Sequence, residues 1–266
     1  MACTRATRRV QASLSTGEHG LKSVLRMIKA KDLFDAGRVS EAVSALGNWL
    51  RDHPTDIPQR TFLFELLCFA GQYDRAEKQL SVLSQGDKGT QLGATLYYAA
   101  LHAERNRNEL FRTETFPKTE APAEISGTLN GKPFTSFRDA DPDIGARLEV
   151  YAAGAYLWIP FRHIVSISMG PPKRLRDMLW ADATVMTGPS FKGTDLGQVI
   201  IPAIYPFSWK DPDEAVWLGR TTVWNADDHG KEYPSGQKIF LVDGEEFPLL
   251  EVRELEFQVE DAASAG

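Results

Sequence analysis

Between Leu33 and Leu83 a helical pattern repeats at a fixed interval, and this constrains the chain more than any other feature. Leu33 is answered by Leu67, Ala36 by Ala70, Gly37 by Gly71, Ala42 by Ala76 and Leu46 by Leu80, a spacing of 34 positions (67 − 33 in the first pair). That interval is the length of one helix-turn-helix repeat unit. Each matched residue has a reason to recur. Gly37 and Gly71 stand where a helix must stop sharply, and glycine takes the left-handed conformation there at least cost. Ala42 and Ala76 are small and lie just inside the next helix, where two backbones must approach closely. Leu33 and Leu46, with their partners, are apolar knobs between helices, and Pro54 closes the first unit.

Apolar periodicity predicts helices over about 21–36, 40–50, 59–70 and 73–83, and a fifth over 91–105. Leu101 falls one interval beyond Leu67, but Glu104 and Arg105 replace the Ala-Gly pair, so the repeat decays as a terminal unit does. In a tetratricopeptide register the first helix of each pair lines a concave face. That face would carry Met27, Lys31 and Phe34, then Thr61, Glu65, Cys68 and Phe69, then Thr95, Ala99 and His102. Methionine, phenylalanine and small residues suit the apolar side of a partner's amphipathic helix. Lys31, Glu65 and His102 are too mixed in charge to clamp a terminal carboxylate. The alternative is that Phe34 and Phe69 pack against the second half of the chain.

From Asn106 to Glu124 the chain is polar and carries Pro117 and Pro122, without apolar periodicity. The expected division is a helical repeat domain over 21–115, a linker over 116–124 and a mainly β, α+β domain over 125–258. Residues 259–266 form a tail, and residues 1–20 read as a disordered tail or as the product of a start placed too far upstream. Asn130-Gly131 and Asp243-Gly244 mark hairpins within Ser126–Phe134 and Ile239–Leu250. Further strands are expected over 156–167, 183–186, 199–205 and 221–224. Three short helices are expected among them. The first starts at Asp141 with Pro142 at its first position and ends before Gly154. The second covers 173–180, and the third is capped by Asp211 and stops at Gly219.

With 36 acidic against 30 basic residues, the net charge of −6 argues against general affinity for nucleic acid or anionic membrane. The two cysteines, Cys3 in a polar tail and Cys68 on an apolar helix face, do not suggest a disulfide and fit a reducing cytoplasm. The most apolar run, from Val150 to Phe161, is too short for a bilayer and is cut by Gly154 and Pro160. Arg5, Arg8 and Arg9 are followed by no apolar core, so no secretory signal is expected. Phosphate-loop, dinucleotide, zinc-protease and nucleophile-elbow motifs are absent, and the histidines have no metal-ligand spacing. No cofactor, metal or catalytic residue is therefore expected. Asp139, Asp141 and Asp143 read either as caps on backbone amides or as a metal cluster. Arg162, Arg174 and Arg176, near Trp158 and Trp180, could line an anion or peptide pocket, or close ion pairs with Asp177 or another carboxylate.

The chain resembles the ImpE family, also called TagJ or the SciE-type virulence proteins. The resemblance rests on Phe62 to Cys68 in the repeat segment, then on Ser126 to Phe134, Asp139-Ala140-Asp141 with Gly145, and Trp158 to Phe161. Leu175-Arg176-Asp177 with Trp180, Tyr205-Pro206, Gly219-Arg220 with Trp224, and Pro248 to Arg253 continue it, so that it spans about 24–257. Membership implies a cytoplasmic, non-enzymatic accessory protein of the bacterial type VI secretion system. It further implies binding to the N-terminal helix of the small contractile-sheath subunit, TssB, and a link to sheath disassembly by the ATPase ClpV. The competing reading is a small-ligand receptor or enzyme that uses a pocket of the β-rich half, with Trp158, Arg162, Trp209 or Trp224, and Trp158, Arg162, Arg176 and Trp180 are a possible second site.

Overall fold

The computed structural model describes residues 29–86, 88–117, 125–191 and 196–258. Both expected tails, the first turns of the first helix with Met27, and residues 118–124 of the expected linker lie outside them. The fold is α+β, with helices first and a β-rich region after.

Helix α1 (29–35) is followed by α2 (Val39–Asp52), α3 (Ile57–Phe69), α4 (Tyr73–Leu83) and α5 (Lys88–Thr113). From α2 onward each helix packs on the next. The two matched glycines end their helices in the same way. Arg38 N donates to Leu33 O at 2.8 Å and Gly37 N to Phe34 O at 2.9 Å. One interval later, Gln72 N donates to Leu67 O at 2.9 Å and Gly71 N to Cys68 O at 3.1 Å. Both glycines have positive φ, 76° and 65°, as this double-bonded helix stop requires. Helix α3 begins at Asp56, whose carboxylate accepts from Gln59 N at 3.2 Å and from Trp49 Nε1 at 2.8 Å. It is buried without interruption from Leu63 to Phe69, which makes it the central helix.

Among the described residues thirteen short strands follow. Eight form one antiparallel sheet in the order β2-β1-β13-β6-β7-β8-β4-β5. The strands are β1 (Gly127–Leu129), β2 (Lys132–Phe134), β4 (Arg147–Ala152), β5 (Ala155–Pro160), β6 (Ile164–Met169), β7 (Trp180–Thr187), β8 (Gly197–Pro202) and β13 (Glu254–Phe257). A second sheet joins β3 (Phe137–Asp139), β11 (Ile239–Val242) and β12 (Glu245–Pro248), and a hairpin joins β9 (Thr222–Ala226) to β10 (Glu232–Gly236). Phe137 centres the core between the two sheets, with ring centroids of Phe240, Phe161, Phe134 and Phe257 at 4.7, 5.0, 5.3 and 5.4 Å. The helices share a different core with the sheet's other face, through Tyr151, Trp180, Ile200 and Ile204.

Both expected hairpins form, with Asn130-Gly131 and Asp243-Gly244 at positive φ. Five expectations are corrected. The helix expected from Asp141 to Gly154 is one turn followed by strand β4. Asp139 and Asp141 do accept backbone N–H groups, from Asp141 and Asp143 at 2.9 Å each, but Gly145 at φ 59° ends the turn at once. Residues Arg147 to Tyr151 are then buried on both faces, which hides the alternation of a strand. The single strand expected over 156–167 is two, β5 and β6, because a 3-10 turn at Phe161–His163 carries the chain from one edge of the sheet to its middle. The expected helix over 173–180 shrinks to a 3-10 turn, Leu175–Met178. The third, α6 (Glu214–Trp217), is capped by Asp213, while Asp211 accepts from Asp213 N. Helix α5 also runs past its expected end at Arg105 to Thr113, through the polar Asn106–Asn108.

Candidate functional site

Helix α5 runs on because its polar residues are paired inside the molecule. Arg107 is 1 % exposed and donates through Nε and Nη2 to the two carboxylate oxygens of Glu149 at 2.7 and 3.0 Å, and through Nη1 to Ile204 O at 2.9 Å. Glu149, on β4, also meets Lys238 Nζ at 2.6 Å and the Tyr156 hydroxyl at 2.5 Å. Lys238 bridges onward to Asp139 Oδ2 at 2.6 Å. Glu104 accepts from the Tyr151 hydroxyl and from Trp180 Nε1. Burial alone would push the Glu149 carboxyl up, but Arg107 and Lys238 together outweigh it and hold it at about 2. Burial raises Asp139 despite Lys238. Buried charges survive only when paired and fully hydrogen-bonded, and this seam satisfies that condition while fixing α5 to the sheet.

Part of the face expected to be concave is covered by the β-rich region, while Lys31, Thr95 and His102 stay exposed. Cys68 and Phe69 are 1 % and 2 % exposed and belong to the core, and burial pushes the Cys68 thiol well up. Phe34 sits edge-on to Phe62 at 5.5 Å beneath the Arg220 guanidinium, which donates to Phe34 O and Asp35 O at 2.8 Å. A Cβ on Gly71 would lie 2.5 Å from the Trp209 ring, so the second repeat turn is docked as well. Lys31 pairs with Asp35 at the surface, and Thr61 donates to Ile57 O within its own helix. Glu65 is buried and meets Arg176 at 3.5 Å.

That ion pair joins a residue of the expected helical face to one of the expected second site. The guanidinium of Arg176 covers the Tyr97 ring at 5.0 Å, and Tyr97 stacks on Trp180 at 5.9 Å. Trp158 and Arg162 do not join them. Trp158 stacks on Phe116 at 5.6 Å under the Arg147 guanidinium at 4.3 Å, and Arg162 is exposed with Nε 3.4 Å from His163 Nε2. Asp177 caps the backbone, accepting from Lys173 N and Arg174 N at 2.9 Å each. Among the described residues no group of three His, Cys, Asp or Glu side chains could hold a metal, and no helix is long and apolar enough to cross a membrane.

The open surface lies along the first half of α5. A groove of about 880 Å³ runs between Leu92, Thr95, Leu96 and Ala99 on the helix and Asp182, Thr184, Gln198 and Ile200 on β7 and β8. The β4–β5 turn closes one end, with Ala153 and Gly154 at φ 49° and 81°. A Cβ on Gly154 would stand 3.5 Å from that of Ala99, so helix and turn touch. Leu92 and Leu96 are 75 % and 48 % exposed, one helical turn apart. Thr95 and Ala99 were expected on a binding face and line this groove; His102 is exposed two turns on from Thr95, beside Asn106. The sheet side could not be read from sequence, because it is assembled from strands distant in the chain. An apolar i, i+4 pair on a helix start was the one local signal.

Residues 131–256 match the family model described as ImpE protein. The chain is 30% identical over 288 aligned positions to the type VI secretion system accessory component TagJ of Pseudomonas aeruginosa, covering 94% of this chain and 99% of that protein. In fold it resembles a crystal structure of a protein from Vibrio parahaemolyticus, with a TM-score of 0.75 at 20% identity over 86% of this chain and 97% of the other.

Proposed function

Because the chain belongs to the ImpE family, we propose that it is an accessory component of a type VI secretion system and acts there as a non-enzymatic adaptor. In this reading the groove beside α5 receives the N-terminal amphipathic helix of the small, TssB-like sheath subunit. Working in the cytoplasm, the protein presents that helix for ClpV-dependent sheath disassembly. The observation that carries it is the exposed Leu92–Leu96 pair facing a sheet wall. Two leucines one turn apart, with small Ala99 beyond them, accept the i, i+3, i+4 anchors of a helix. Thr95, Asp182, Thr184 and Gln198 supply a polar rim. Covering a leucine gains about 2 kcal/mol, and ordering costs offset part of that, so a modest, reversible affinity follows.

Calorimetric titration with a synthetic peptide of the cognate sheath subunit's N-terminal helix tests the reading. Saturable one-to-one binding is expected, weakened at least tenfold by Leu92→Asp with Leu96→Asp. The melting temperature should hold, since both side chains stand in water. Binding that survives both changes moves the site elsewhere on the protein. No binding at high peptide concentration removes the sheath helix as partner.

A further inference from the structure

The sheet wall of the groove continues past its lining. Strand pairing puts Gln198 on β8 opposite Thr184 on β7, Thr184 opposite Ser168 on β6, and Ser168 opposite Glu254 on β13. The first three of these line the groove, so the row carries its wall outward to Glu254. A second row, two residues along each strand, runs through Met186, Ser166, Glu256 and Thr128. Alternate residues of a strand share a face, and among the described residues this face of β1, β6, β7, β8 and β13 bears no lysine or arginine. Glu254 accepts from the Ser168 hydroxyl at 2.6 Å and Glu256 from that of Thr128 at 3.2 Å. Neither closes an ion pair among the described residues. Asp182, the charged residue of the groove lining, lies instead within the field of Arg176 and Arg174.

The widths decide what these carboxylates can meet. A helix is about 10–12 Å across, and three strand spacings, about 14 Å, separate Gln198 from Glu254. A helix seated against Leu92 and Leu96 therefore covers Gln198 and Thr184 and holds its outer flank above Ser168, one strand short of Glu254. Long basic side chains bridge that step, with Met186, 55 % exposed, beside their apolar stems. Resting on the reading of this groove as a helix site, we propose that it selects an amphipathic helix with a basic flank, whose Lys or Arg side chains pair with Glu254 and Glu256. The leucines supply the anchor and the carboxylates the choice, because the same face repels a helix with an acidic flank. Each exposed pair strengthens binding by a factor of about 1.5–5, so two pairs separate basic from acidic flanks by about tenfold.

The test uses three synthetic helices that share leucines at i, i+3, i+4 and i+7 and carry lysine, glutamine or glutamate along one flank. Each is titrated into the full chain and followed by fluorescence anisotropy at low and at high salt. Affinity should fall in the order lysine, glutamine, glutamate, about tenfold from first to last, and the spread should contract as salt screens the pairs. Glu254→Gln with Glu256→Gln, both at exposed positions, should remove most of the preference and leave the glutamine helix bound as before. The neutral changes Leu92→Gln with Leu96→Gln should release all three. A lysine helix still held by that variant is bound by net charge alone and overturns the proposal. Equal affinity of the three helices also overturns it, while leaving the groove as a helix site. Binding of none of them removes the helix site itself, and the proposal with it.

Discussion

The two halves of α5 invert the usual arrangement of a helix. Its first half presents Leu92 and Leu96 to water, and its second half buries Glu104 and Arg107. The leucines face a sheet wall across the groove, while the charged residues meet Glu149, Tyr151 and Trp180 at hydrogen-bonding distance. Side-chain polarity alone therefore does not decide burial; the partner brought by the fold does. The same contrast separates the repeat turns from the groove. Arg220 and Trp209 cover Gly37 and Gly71, so the β-rich region closes both repeat turns while α5 keeps an open flank.

Breaking the seam should give the largest effect. Glu149→Gln leaves Arg107 and Lys238 without their shared carboxylate, and removing one partner of a buried ion pair costs about 3–5 kcal/mol. Urea denaturation should record that loss, and a change below about 1 kcal/mol would mean that the seam is not holding α5 to the sheet.

Beside the seam, at Asp141, the expected effect depends on pH. Asp141 releases its proton at about 7 in the fold and near ~3.9 in the unfolded chain. Between those values the native state holds a proton that the unfolded chain has lost, so stability falls as pH rises through the window. Asp141→Asn lacks this slope. Relative to the native chain it should be more stable at pH 8 than at pH 4, by on the order of 3 kcal/mol. Parallel stability curves across that range would remove Asp141 as a buried titrating group.

The smallest expected effect compares the two repeat glycines. Alanine at either pays about 1 kcal/mol for the left-handed conformation. At Gly37 the nearest atom to a new Cβ is 3.7 Å away, but at Gly71 the Trp209 ring is at 2.5 Å. Gly71→Ala should therefore cost about 1–3 kcal/mol more than Gly37→Ala, and Trp209→Ala in the same chain should remove most of that excess. Equal losses would show that docking at the second turn is loose.

Local rules made much of this fold legible. The helix stops at Gly37 and Gly71 and both Asx-Gly hairpins follow from backbone chemistry that any neighbour would leave unchanged. The reading of Asp141-Pro142 as a helix start failed because capping chemistry is shared by helices and single turns, and only Gly145 and the doubly buried strand behind it distinguish them. The polar stretch Asn106–Asn108 reads as lying beyond a helix end because the carboxylate that Arg107 meets at 2.7 Å, Glu149, lies 42 positions further along the chain. Phe69 and Cys68 read as groove residues for the same reason: the core they join includes Tyr151, Trp180 and Ile200, far along the chain.

The sequence by itself determined the helical interval, the turns that end it and the change to strands after Ile125, since those depend on residues within a few positions of one another. Tertiary structure alone decided which faces are closed. The Arg107–Glu149–Lys238 seam, the Glu65–Arg176 pair and the groove beside Leu92 join residues from 42 to 131 positions apart. Their energies exist only once desolvation and close approach have been arranged by the whole fold.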